Sequence, residues 1–416
     1  LKHLKGWMEP EKVPTPLLQQ PGRSAVVREP KGVVLFVGAW NFPINLSLVP
    51  LATGIAAGNC CVLKPSEVSP QSEQLLKELL PKYVDPEAIA VVTGGVQEAT
   101  ALLQQRWDHI MYTGNGVVAR IFARAAAENL TPCTLELGGK SPTIVLPGAN
   151  IPVAARRILN GKCFNAGQIC IAPDYALVHE DVEEALVREM RQVLDEWYGK
   201  DAAQSSSYGR IVNDGHFRRI KKLVESSDGK VHMWGSMDEA TKFIPPTLIM
   251  GPSADSDIMH EEIFGPVLPI LKSANVDEII AHINAQEKPL AMYIFGKESD
   301  ADKVIARTSS GGVCVNDTIF HIANPELPFG GVGGSGMGKY HGKWGFDEFS
   351  HQRAVMYRKT WVDVKQRYPP YTDSSLKLLE FVSLGPTVSP EVKRAVQAAG
   401  AAVGLGLAAM LVHSCL

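Results

Sequence analysis

Short apolar runs alternate with helical segments in the first third of the chain, and this alternation constrains the fold more than any other feature. Residues 33–37 form a continuous apolar run, which is typical of a strand covered on both faces. Similar runs occur at residues 60–63, 90–93 and 109–112, and residues 50–58 have the pattern of a helix that ends at a glycine. Repeated strand–helix units of this kind predict a parallel, doubly wound sheet.

A second α/β region follows and extends from residue 141 to about residue 349. Residues 141–145 and 291–295 predict buried strands, and residues 182–197 predict a helix. In the first region, Ser69 predicts the capped start of a further helix, because a proline and an acidic residue follow it. The two regions together predict an α/β protein.

Length and composition limit the classes of protein that fit. The chain has 416 residues, more than one hydrophobic core ordinarily serves, so we expect two large domains. Hydrophobic residues make up 45% and charged residues 20%, which is typical of a folded globular protein. The formal net charge of -3 provides no basic field for holding nucleic acid. We therefore expect no nucleic-acid partner.

Cysteine usage indicates reduced thiols rather than a disulfide framework. The cysteines are odd in number and thinly spread, without a C-x-x-C pair or a histidine spacing suited to zinc, so we predict no metal site and a cytosolic environment. The charged opening residues do not resemble a signal peptide, and the missing initial Met suggests a fragment. The seven cysteines are Cys60, Cys61, Cys133, Cys163, Cys170, Cys314 and Cys415.

One of these cysteines, Cys170, lies in a context that favours chemistry. A lone cysteine is most often a small buried hydrophobic residue. Here Asn165, Gly167 and Gln168 precede the thiol, so small and polar residues lead to it, as expected of a loop that enters an open crevice. This context favours a nucleophilic cysteine.

Two glutamates have neighbours that suit a catalytic or binding site. Glu136 is followed by Gly138 and Gly139, whose flexibility would let the carboxylate act as a general base, and the alternative is a solvated side chain at a strand end. Glu262 lies in the string Glu-Glu-Ile-Phe-Gly-Pro at residues 261–266. The alternative there is a charged turn before a strand.

Residues that follow the predicted strands are candidates for binding a ligand, because doubly wound sheets hold their ligands at the carboxyl ends of the strands. Lys64 and Glu67 follow one such strand, although each could equally be a solvated surface charge. Gly114 lies between a strand and a helix, where the N–H groups of a helix N-terminus can meet a phosphate. Asn41 follows another strand and by itself would most often be a turn residue.

In chain order, these strings resemble the motifs of the aldehyde dehydrogenase superfamily, and its class 3 (fatty aldehyde dehydrogenase-like) branch in particular. The match includes Asn-x-Gly-Gln-x-Cys at residues 165–170, Glu-Leu-Gly-Gly-Lys at residues 136–140 and Lys-Pro-Ser-Glu at residues 64–67. A glycine-dense loop followed by Tyr-His-Gly-Lys at residues 340–343 resembles the class 3 form of the loop near the substrate mouth. The resemblance covers roughly residues 21–353.

The resemblance implies an α/β fold in which a Rossmann-like parallel-sheet cofactor domain is joined to a second α/β catalytic domain. It implies an association as a homodimer, although the family's N-terminal helices are absent from this sequence. The implied divisions are residues 1–21 as an extended N-terminal arm, 22–136 as the NAD(P)-binding domain, 137–349 as the catalytic domain, 350–394 as a bridging or oligomerisation segment, and 395–412 as a hydrophobic C-terminal tail.

The resemblance also implies a reaction, the NAD(P)-dependent oxidation of medium- or long-chain aliphatic or aromatic aldehydes to carboxylic acids. In that reaction Cys170 would form a thiohemiacetal and then a thioester, Glu136 would activate water to hydrolyse the thioester, and Asn41 would hold the oxyanion. Two residues, Phe42 and His341, would line the substrate pocket. For Phe42 the alternative is plain core packing.

The same resemblance implies which residues hold the cofactor. Glu67 suits the free 2′-hydroxyl of NAD, and class 3 relatives often accept NADP too. Ala119 departs from the family, which usually has a second glycine there. The implied cofactor-binding residues are Lys64 and Glu67 at the adenosine ribose, Thr113, Gly114 and Asn115 near the pyrophosphate, and Glu262 and Phe264 at the nicotinamide.

Two other functions are alternatives to this one. A CoA-acylating dehydrogenase would pass the acyl group to a thiol, and thiolysis does not need Glu136 as a base for water. A catalytically silent structural or binding member of the fold would have lost the nucleophile or the base. This chain keeps both Cys170 and Glu136.

The last part of the sequence predicts a membrane anchor. Residues 395–412 carry no charge, and their length meets the lower limit for a spanning helix, roughly 17 residues. Lys393 and Arg394 precede the stretch, on the side expected to stay cytosolic. We therefore predict attachment to the cytoplasmic face of an internal, endoplasmic reticulum-like membrane. The alternative is a cytosolic protein whose Ala-rich C-terminal helix packs on a partner subunit.

Overall fold

The computed structural model describes residues 2–16 and 19–384, and the chain divides into two compact units. The first unit consists of the residues up to Trp7 together with Glu29–His351, and it contains all the candidate site residues. The second consists of Met8–Arg28 and the chain from Gln352 onward. The predicted membrane tail at residues 395–412 lies outside the described residues.

Sixteen strands occur among the described residues. They are β1 (Glu11–Val13), β2 (Arg23–Pro30), β3 (Val33–Val37), β4 (Cys60–Lys64), β5 (Ile89–Val91), β6 (His109–Thr113), β7 (Cys133–Glu136), β8 (Pro142–Val145), β9 (Tyr175–His179), β10 (Lys230–Met233), β11 (Thr247–Met250), β12 (Val267–Ser273), β13 (Ala291–Phe295), β14 (Gly312–Val315), β15 (Gly336–Met337) and β16 (Ser350–Tyr357).

Thirteen α-helices accompany these strands in the same described ranges. They are α1 (Leu4–Met8), α2 (Asn45–Ala56), α3 (Pro70–Leu79), α4 (Val96–Leu103), α5 (Gly116–Ala127), α6 (Ile151–Cys163), α7 (Glu180–Tyr198), α8 (Asp214–Glu225), α9 (Asp257–His260), α10 (Val276–Asn284), α11 (Glu298–Arg307), α12 (Gly342–Glu348) and α13 (Asp373–Leu384). None of the helices described is both long enough and apolar enough to cross a membrane.

The first unit contains a six-stranded sheet in the order β15-β7-β6-β3-β4-β5. The five adjacent strands from β7 to β5 in this order are parallel to one another, and β15 is antiparallel to β7. The apolar run at residues 33–37 is the central strand, with residues 34–36 fully buried, because helices cover both faces of such a sheet. The predicted parallel, doubly wound sheet is confirmed.

The same unit contains a seven-stranded sheet in the order β10-β11-β12-β9-β8-β13-β14. All its strands are parallel except β10, which pairs antiparallel with β11. The predicted strand at residues 291–295 is β13, and the predicted helix at residues 182–197 is α7 with two residues more at its start and one at its end. The observed α/β architecture confirms the predicted fold class.

Helix α2 shows where a boundary prediction was wrong. The sequence predicts a helix that begins at Pro50, whereas the helix begins at Asn45 and encloses the proline. Ser47, Leu51 and Gly54 are buried together with Pro50, so they form one face at helical spacing that packs inward. Packing of that face therefore outweighs the proline's preference for the first turn.

Two further local predictions are corrected by the structure. Ser69 does precede helix α3, but its hydroxyl donates to the Trp40 carbonyl at 2.9 Å instead of capping the helix. The arm predicted to be extended is helical at residues 4–8, because Trp7 packs against Phe346 with a ring separation of 5.8 Å.

A third sheet has three strands, β1, β2 and β16. The predicted domain boundaries stay a prediction, and we note that β7 and β8 belong to different sheets.

Candidate active site

The carboxyl ends of the strands in the six-stranded sheet bring several predicted site residues to one edge. Lys64 ends β4, Thr113 ends β6 and Glu136 ends β7. Thr113 pairs with Glu136 in the register of the sheet, and the Gly114 N–H donates to the Glu136 carbonyl at 3.0 Å. Asn41 follows β3 at the same edge, because β3 lies between β4 and β6.

The loop that carries Cys170 leaves helix α6 through three residues in the left-handed conformation. Asn165 has φ 50°, Ala166 has φ 51° and Gly167 has φ 73°. A Cβ on Gly167 would lie 2.2 Å from the Gly265 carbonyl oxygen, so only glycine fits there. The turn brings the half-buried Cys170 back against the site.

Gln168 fixes this loop, and the sequence analysis assigned it no separate role. Its Nε2 donates to the carbonyls of Asn165 and Arg210, both at 3.0 Å, and its Oε1 accepts from the Val212 N–H at 2.9 Å. The amide is buried, so all three of these bonds are made away from water. The sequence feature that could have indicated this role is the place of Gln168 in the motif, two residues before Cys170.

Asn41 is joined to the same loop. Its Nδ2 donates to the Gln168 carbonyl at 3.1 Å, and its own carbonyl accepts from Asn165 Nδ2 at 2.9 Å. A carboxamide nitrogen carries two hydrogens, so one remains for another acceptor. The amide that the sequence assigns to the oxyanion is therefore anchored two residues before Cys170.

Glu136 is buried, and neither of its carboxylate oxygens has a hydrogen-bond partner within the described protein. Burial raises the pKa of this carboxyl well above its usual range, and the negative charge of Glu348 raises it further. An unpartnered buried carboxyl is costly and is therefore expected where function requires it. A group with a raised pKa that lacks a structural partner is suited to take a proton from water.

Cys170 lies within electrostatic reach of both predicted glutamates. Burial raises the pKa of its thiol, and the charges of Glu262 and Glu136 raise it further. The structure thus brings together the predicted nucleophile, the predicted base and the predicted nicotinamide-ribose ligand. In this state Cys170 is a protonated thiol at neutral pH.

The Glu262 carboxylate occupies space that exists because residue 138 is glycine. A Cβ on Gly138 would lie 2.4 Å from Glu262 Oε1. Burial, with the charge of Asp174, raises the pKa of Glu262 to about 8, and a hydrogen bond from the Gly139 N–H opposes that rise. Arg219 donates to the Glu262 carbonyl at 3.1 Å, which holds the backbone of this turn.

A buried ion pair clamps the Glu262 turn from the other side, and the sequence analysis missed it. Lys140 Nζ donates to Asp174 Oδ2 at 2.5 Å and to the carbonyls of Ile258 at 2.8 Å and Glu261 at 3.0 Å. Asp174 Oδ1 accepts from the Ile263 N–H at 3.0 Å. Lys140 belongs to the Glu-Leu-Gly-Gly-Lys string and was recognisable there, whereas nothing in the sequence singles out Asp174.

Lys64 and Glu67 are adjacent at the end of β4. Lys64 is buried and its Nζ donates to Glu67 Oε2 at 3.0 Å, while the Glu67 side chain is half-exposed. A cation and a carboxylate side by side at a strand end offer both a donor and an acceptor to the hydroxyls of a ribose. These residues fit the adenosine end of a dinucleotide.

The N-terminus of α5 differs from the predicted phosphate site in one respect. Asn115 Oδ1 accepts from the N–H groups of Val117 and Val118, both at 3.0 Å, so the helix caps itself. Gly114 is required before it, since a Cβ there would lie 2.2 Å from the Tyr112 hydroxyl. Ala119 is buried in the core of this sheet, which accommodates the methyl group that the family usually lacks.

The residues that the sequence predicts at the substrate and nicotinamide positions pack against aromatic rings. Phe42 stacks on Phe164 at a ring separation of 6.2 Å, and Phe164 is 54% exposed, so this pair extends to the surface. Phe264 has φ 48° and packs edge-on against a tryptophan. His341 has φ 81° and stacks on Phe329 at 5.1 Å, and burial lowers its pKa to about 4.

Comparison with known proteins identifies the family of this chain. The sequence profile of the aldehyde dehydrogenase family matches residues 4–355. The chain belongs to the aldehyde dehydrogenase family. Its reaction is the oxidation of an aldehyde to a carboxylic acid with NAD or NADP.

The relatives belong to class 3, as predicted. The chain is 47% identical over 382 residues to rat "Aldehyde dehydrogenase family 3 member B1", a match that covers 91% of this chain and 81% of that protein. It is 48% identical over 373 residues to rat "Aldehyde dehydrogenase, dimeric NADP-preferring", covering 89% and 82%. A solved structure of Staphylococcus aureus AldH in a substrate-bound state has a TM-score of 0.88 and 44% identity, and the match covers 92% of this chain and 84% of that one.

Within residues 2–16 and 19–384, no group of three or more histidine, cysteine or acidic side chains could hold a metal ion. The six cysteines of that part of the chain are all free.

Proposed function

We propose that Cys170 is the nucleophile of this aldehyde dehydrogenase, that Asn41 is part of its oxyanion hole, and that Glu136 is the base for hydrolysis. The observation that carries the proposal is the unpartnered buried carboxyl of Glu136 within electrostatic reach of Cys170. Asn41 supports it, because its carboxamide is bonded to the nucleophile loop and has a hydrogen left to donate.

In the first half of the reaction, the Cys170 thiol loses its proton to the solvent, its sulfur forms a bond to the aldehyde carbon, and the carbonyl oxygen becomes an oxyanion. The second Asn41 hydrogen and the backbone N–H of Cys170 hold that oxyanion, a contribution of about 3 kcal/mol per donor. Bound NAD or NADP would supply the acceptor for the hydride that leaves this carbon. A thioester on Cys170 remains.

In the second half, Glu136 removes a proton from a water molecule while the water oxygen forms a bond to the thioester carbon. The bond between that carbon and the Cys170 sulfur then breaks, and the acid is released. The raised pKa of Glu136 suits this step, because a stronger base takes the proton more readily once it is ionised. A dehydrogenase that acylates CoA would have no use for this group.

We assign the cofactor residues as follows. Lys64 and Glu67 hold the adenosine ribose, and Glu262 holds the nicotinamide ribose with Phe264 beside the ring. Thr113, Gly114 and Asn115 lie next to the pyrophosphate, although two N–H groups of α5 are already bonded to Asn115. The carboxylate of Glu67 favours NAD, because it would repel the 2′-phosphate of NADP.

The preferred substrates are apolar aldehydes, either aromatic or with medium to long aliphatic chains. The exposed Phe164 with the stacked Phe42 offers an apolar path toward Cys170, and the neutral His341 adds no charge near it. The enzyme acts as a homodimer, as the name of one rat relative states for that protein. We retain the proposal that residues 395–412 attach it to the cytoplasmic face of an internal membrane.

A comparison of two cysteine variants tests the assignment. We expect Cys170→Ala to abolish dehydrogenation while cofactor binding, measured by fluorescence of the reduced cofactor, is retained. Cys163→Ala is the matched control, because this buried thiol lies on α6 and should cost stability but not activity. Appreciable turnover by Cys170→Ala, or loss of activity only in Cys163→Ala, would refute the nucleophile assignment.

A further inference from the structure

The hydroxyl group of Tyr293 bonds to the backbone directly after the nucleophile. Tyr293 lies in the middle of β13, between β8 and β14, and its side chain is fully buried. The hydroxyl donates to the Ile171 carbonyl at 2.5 Å and accepts a hydrogen bond from the Ile319 N–H. A phenolic hydroxyl has one hydrogen to donate, so this hydrogen is committed to Ile171. The mechanism derived above gives Tyr293 no role.

Cys170 and Ile171 are the two central residues of a tight turn. The Ala172 N–H closes this turn with a hydrogen bond of 2.9 Å to the Ile169 carbonyl. Burial raises the pKa of the thiol, and hydrogen bonds from the N–H groups of Cys170 and Ile171 oppose that rise. The carbonyl that Tyr293 holds therefore belongs to the residue whose N–H helps to stabilise the thiolate.

The second partner of the hydroxyl belongs to a strained loop after β14. Ile319 has φ 65°, a left-handed conformation that is costly for a β-branched residue and persists only where its surroundings hold it. The Thr318 hydroxyl donates to the Arg157 carbonyl of α6 at 2.8 Å, so this loop is also bonded to the helix that leads into the nucleophile loop. Tyr293 thus joins the turn of Cys170 to a loop that is itself fixed.

The nucleophile loop is anchored on both sides of the thiol. Before Cys170, the Gln168 carbonyl accepts from Asn41 at 3.1 Å, and after it the Ile171 carbonyl accepts from Tyr293. Two fixed carbonyls limit how far the backbone of Cys170 can rotate. Attack on an aldehyde requires the sulfur to lie about 3–3.5 Å from the carbonyl carbon while a backbone N–H meets the oxyanion. Loss of one anchor would misplace both groups.

We propose that Tyr293 is a positioning residue for the nucleophile and that its hydroxyl holds the turn of Cys170 in the geometry that attacks the aldehyde. The proposal rests on the proposed role of Cys170. Tyr293 does not exchange a proton during the reaction, because burial raises the pKa of its hydroxyl well above the usual value. It acts through the backbone of Ile171, on the step in which the bond between sulfur and carbon forms.

The first experiment compares Tyr293→Phe with the wild-type enzyme in the pre-steady state. The variant keeps the buried ring and removes only the hydroxyl. We expect the burst of reduced cofactor to slow by about ten- to a hundredfold, since misplacing a reacting group by about 1 Å can cost a hundredfold. KM for the cofactor should stay unchanged, because both backbone partners of the hydroxyl lie outside the residues assigned to the cofactor.

Tyr208→Phe is the matched control. Tyr208 is also buried, and its hydroxyl donates to the backbone carbonyl of Ile244 at 3.0 Å. Both variants should lose a similar amount of stability in urea unfolding, because each leaves a buried carbonyl without its donor. The burst should be slow only in Tyr293→Phe. Equal burst rates in the two variants, whether both normal or both slow, would overturn the inference.

Alkylation of Cys170 by iodoacetamide gives a measurement that a general loss of stability does not change. The titratable groups that face the thiol are Glu136, Glu262, Tyr293 and Tyr340. Tyr293→Phe changes no charge among them, so a shift in the pH profile of alkylation must come through the backbone. We expect alkylation, followed by mass spectrometry of the Cys170 peptide, to need a higher pH in the variant, because the Ile171 N–H is no longer held against the sulfur. The exposed Cys60 should react as in the wild type, and an unchanged profile for Cys170 would contradict the inference.

A different donor at the same position should restore the reaction. Tyr293→4-aminophenylalanine puts an N–H in place of the O–H, so the side chain can still donate to the Ile171 carbonyl. We expect its burst to be close to that of the wild type. A slow burst in this variant would overturn the inference, also where Tyr293→Phe does not fold.

Failure of the inference and failure of the proposed function give different results. Appreciable turnover by Cys170→Ala would refute the proposed function, and the role of Tyr293 would fail with it. If Cys170→Ala is inactive but Tyr293→Phe keeps the wild-type burst, only the inference about Tyr293 is overturned and the proposed function stands.

Discussion

The ion pair between Lys140 and Asp174 should be the most sensitive electrostatic contact of the site, and Asp174→Asn tests this. The two side chains are only 9% and 4% exposed. Removing one partner of a buried pair typically costs 3–5 kcal/mol, because the other charge stays buried without compensation. The substituted carboxamide can still accept from the Ile263 N–H, and Lys140 keeps two carbonyl acceptors. We therefore expect a loss of about 3 kcal/mol in the free energy of unfolding.

The same substitution should affect function through the Glu262 turn. Lys140 and Asp174 together bind three backbone groups of residues 258–263, so a weaker pair loosens the carboxylate that is proposed to hold the nicotinamide ribose. We expect KM for the cofactor to rise several-fold, with a smaller change in KM for the aldehyde. Urea unfolding gives the stability, and steady-state kinetics with each substrate varied in turn give the constants.

A matched control distinguishes the effect of breaking a buried ion pair from the effect of removing a charge. Glu196→Gln removes one partner of the pair between Arg156 and Glu196, whose side chains are 45% and 57% exposed, and should leave both stability and KM unchanged. A double variant, Lys140→Met with Asp174→Leu, should recover part of the stability lost in the single variant, because no charge is then left unpaired. An Asp174→Asn enzyme as stable as the wild type, or a control that loses as much, would refute the reasoning.

Three further predictions follow from the site and the sequence. Asn41→Ala should lower kcat about 100- to 1,000-fold with little change in stability, because one oxyanion donor is lost, and a loss under tenfold would contradict the assignment. Since the base must be ionised and the pKa of Glu136 is raised, turnover limited by hydrolysis should rise with pH above the usual range of glutamate, and Glu136→Gln should abolish that rise. Removing residues 395–416 should move the protein from the carbonate-resistant membrane pellet to the supernatant, and recovery of both forms in the supernatant would refute the anchor.

Local sequence patterns predicted the elements of the fold because each pattern reflects burial on a defined face. The run at residues 33–37 predicted β3 to the residue, and residues 291–295 did so for β13. The start of α2 could not be predicted in this way. Its inward face includes Ser47 and Gly54, which are small and carry no hydrophobic signal, so Pro50 seemed to mark the first turn.

In the site, too, local sequence patterns predict some features and not others. Glu136 and Cys170 lie in short strings whose composition predicts an unusual environment, so the sequence analysis could identify both. The contacts that hold them join residues far apart in the chain, such as Lys140 with Glu261, and Gln168 with Arg210. No local pattern records which distant carbonyl a side chain will reach, because that depends on the packed arrangement of both sheets.

The turn before Cys170 shows why even a recognised motif does not reveal its conformation. Asn165 and Gly167 adopt left-handed backbone readily, but Ala166 does so at a cost of about 1 kcal/mol or more. That cost is offset by the hydrogen bonds of Gln168 and Asn165 and by the burial of the Ala166 methyl group. The backbone of the nucleophile loop is thus held in a strained form by contacts from outside the loop. We therefore expect that a change in one of these contacts, rather than in Cys170 itself, shifts the position of the thiol relative to Asn41.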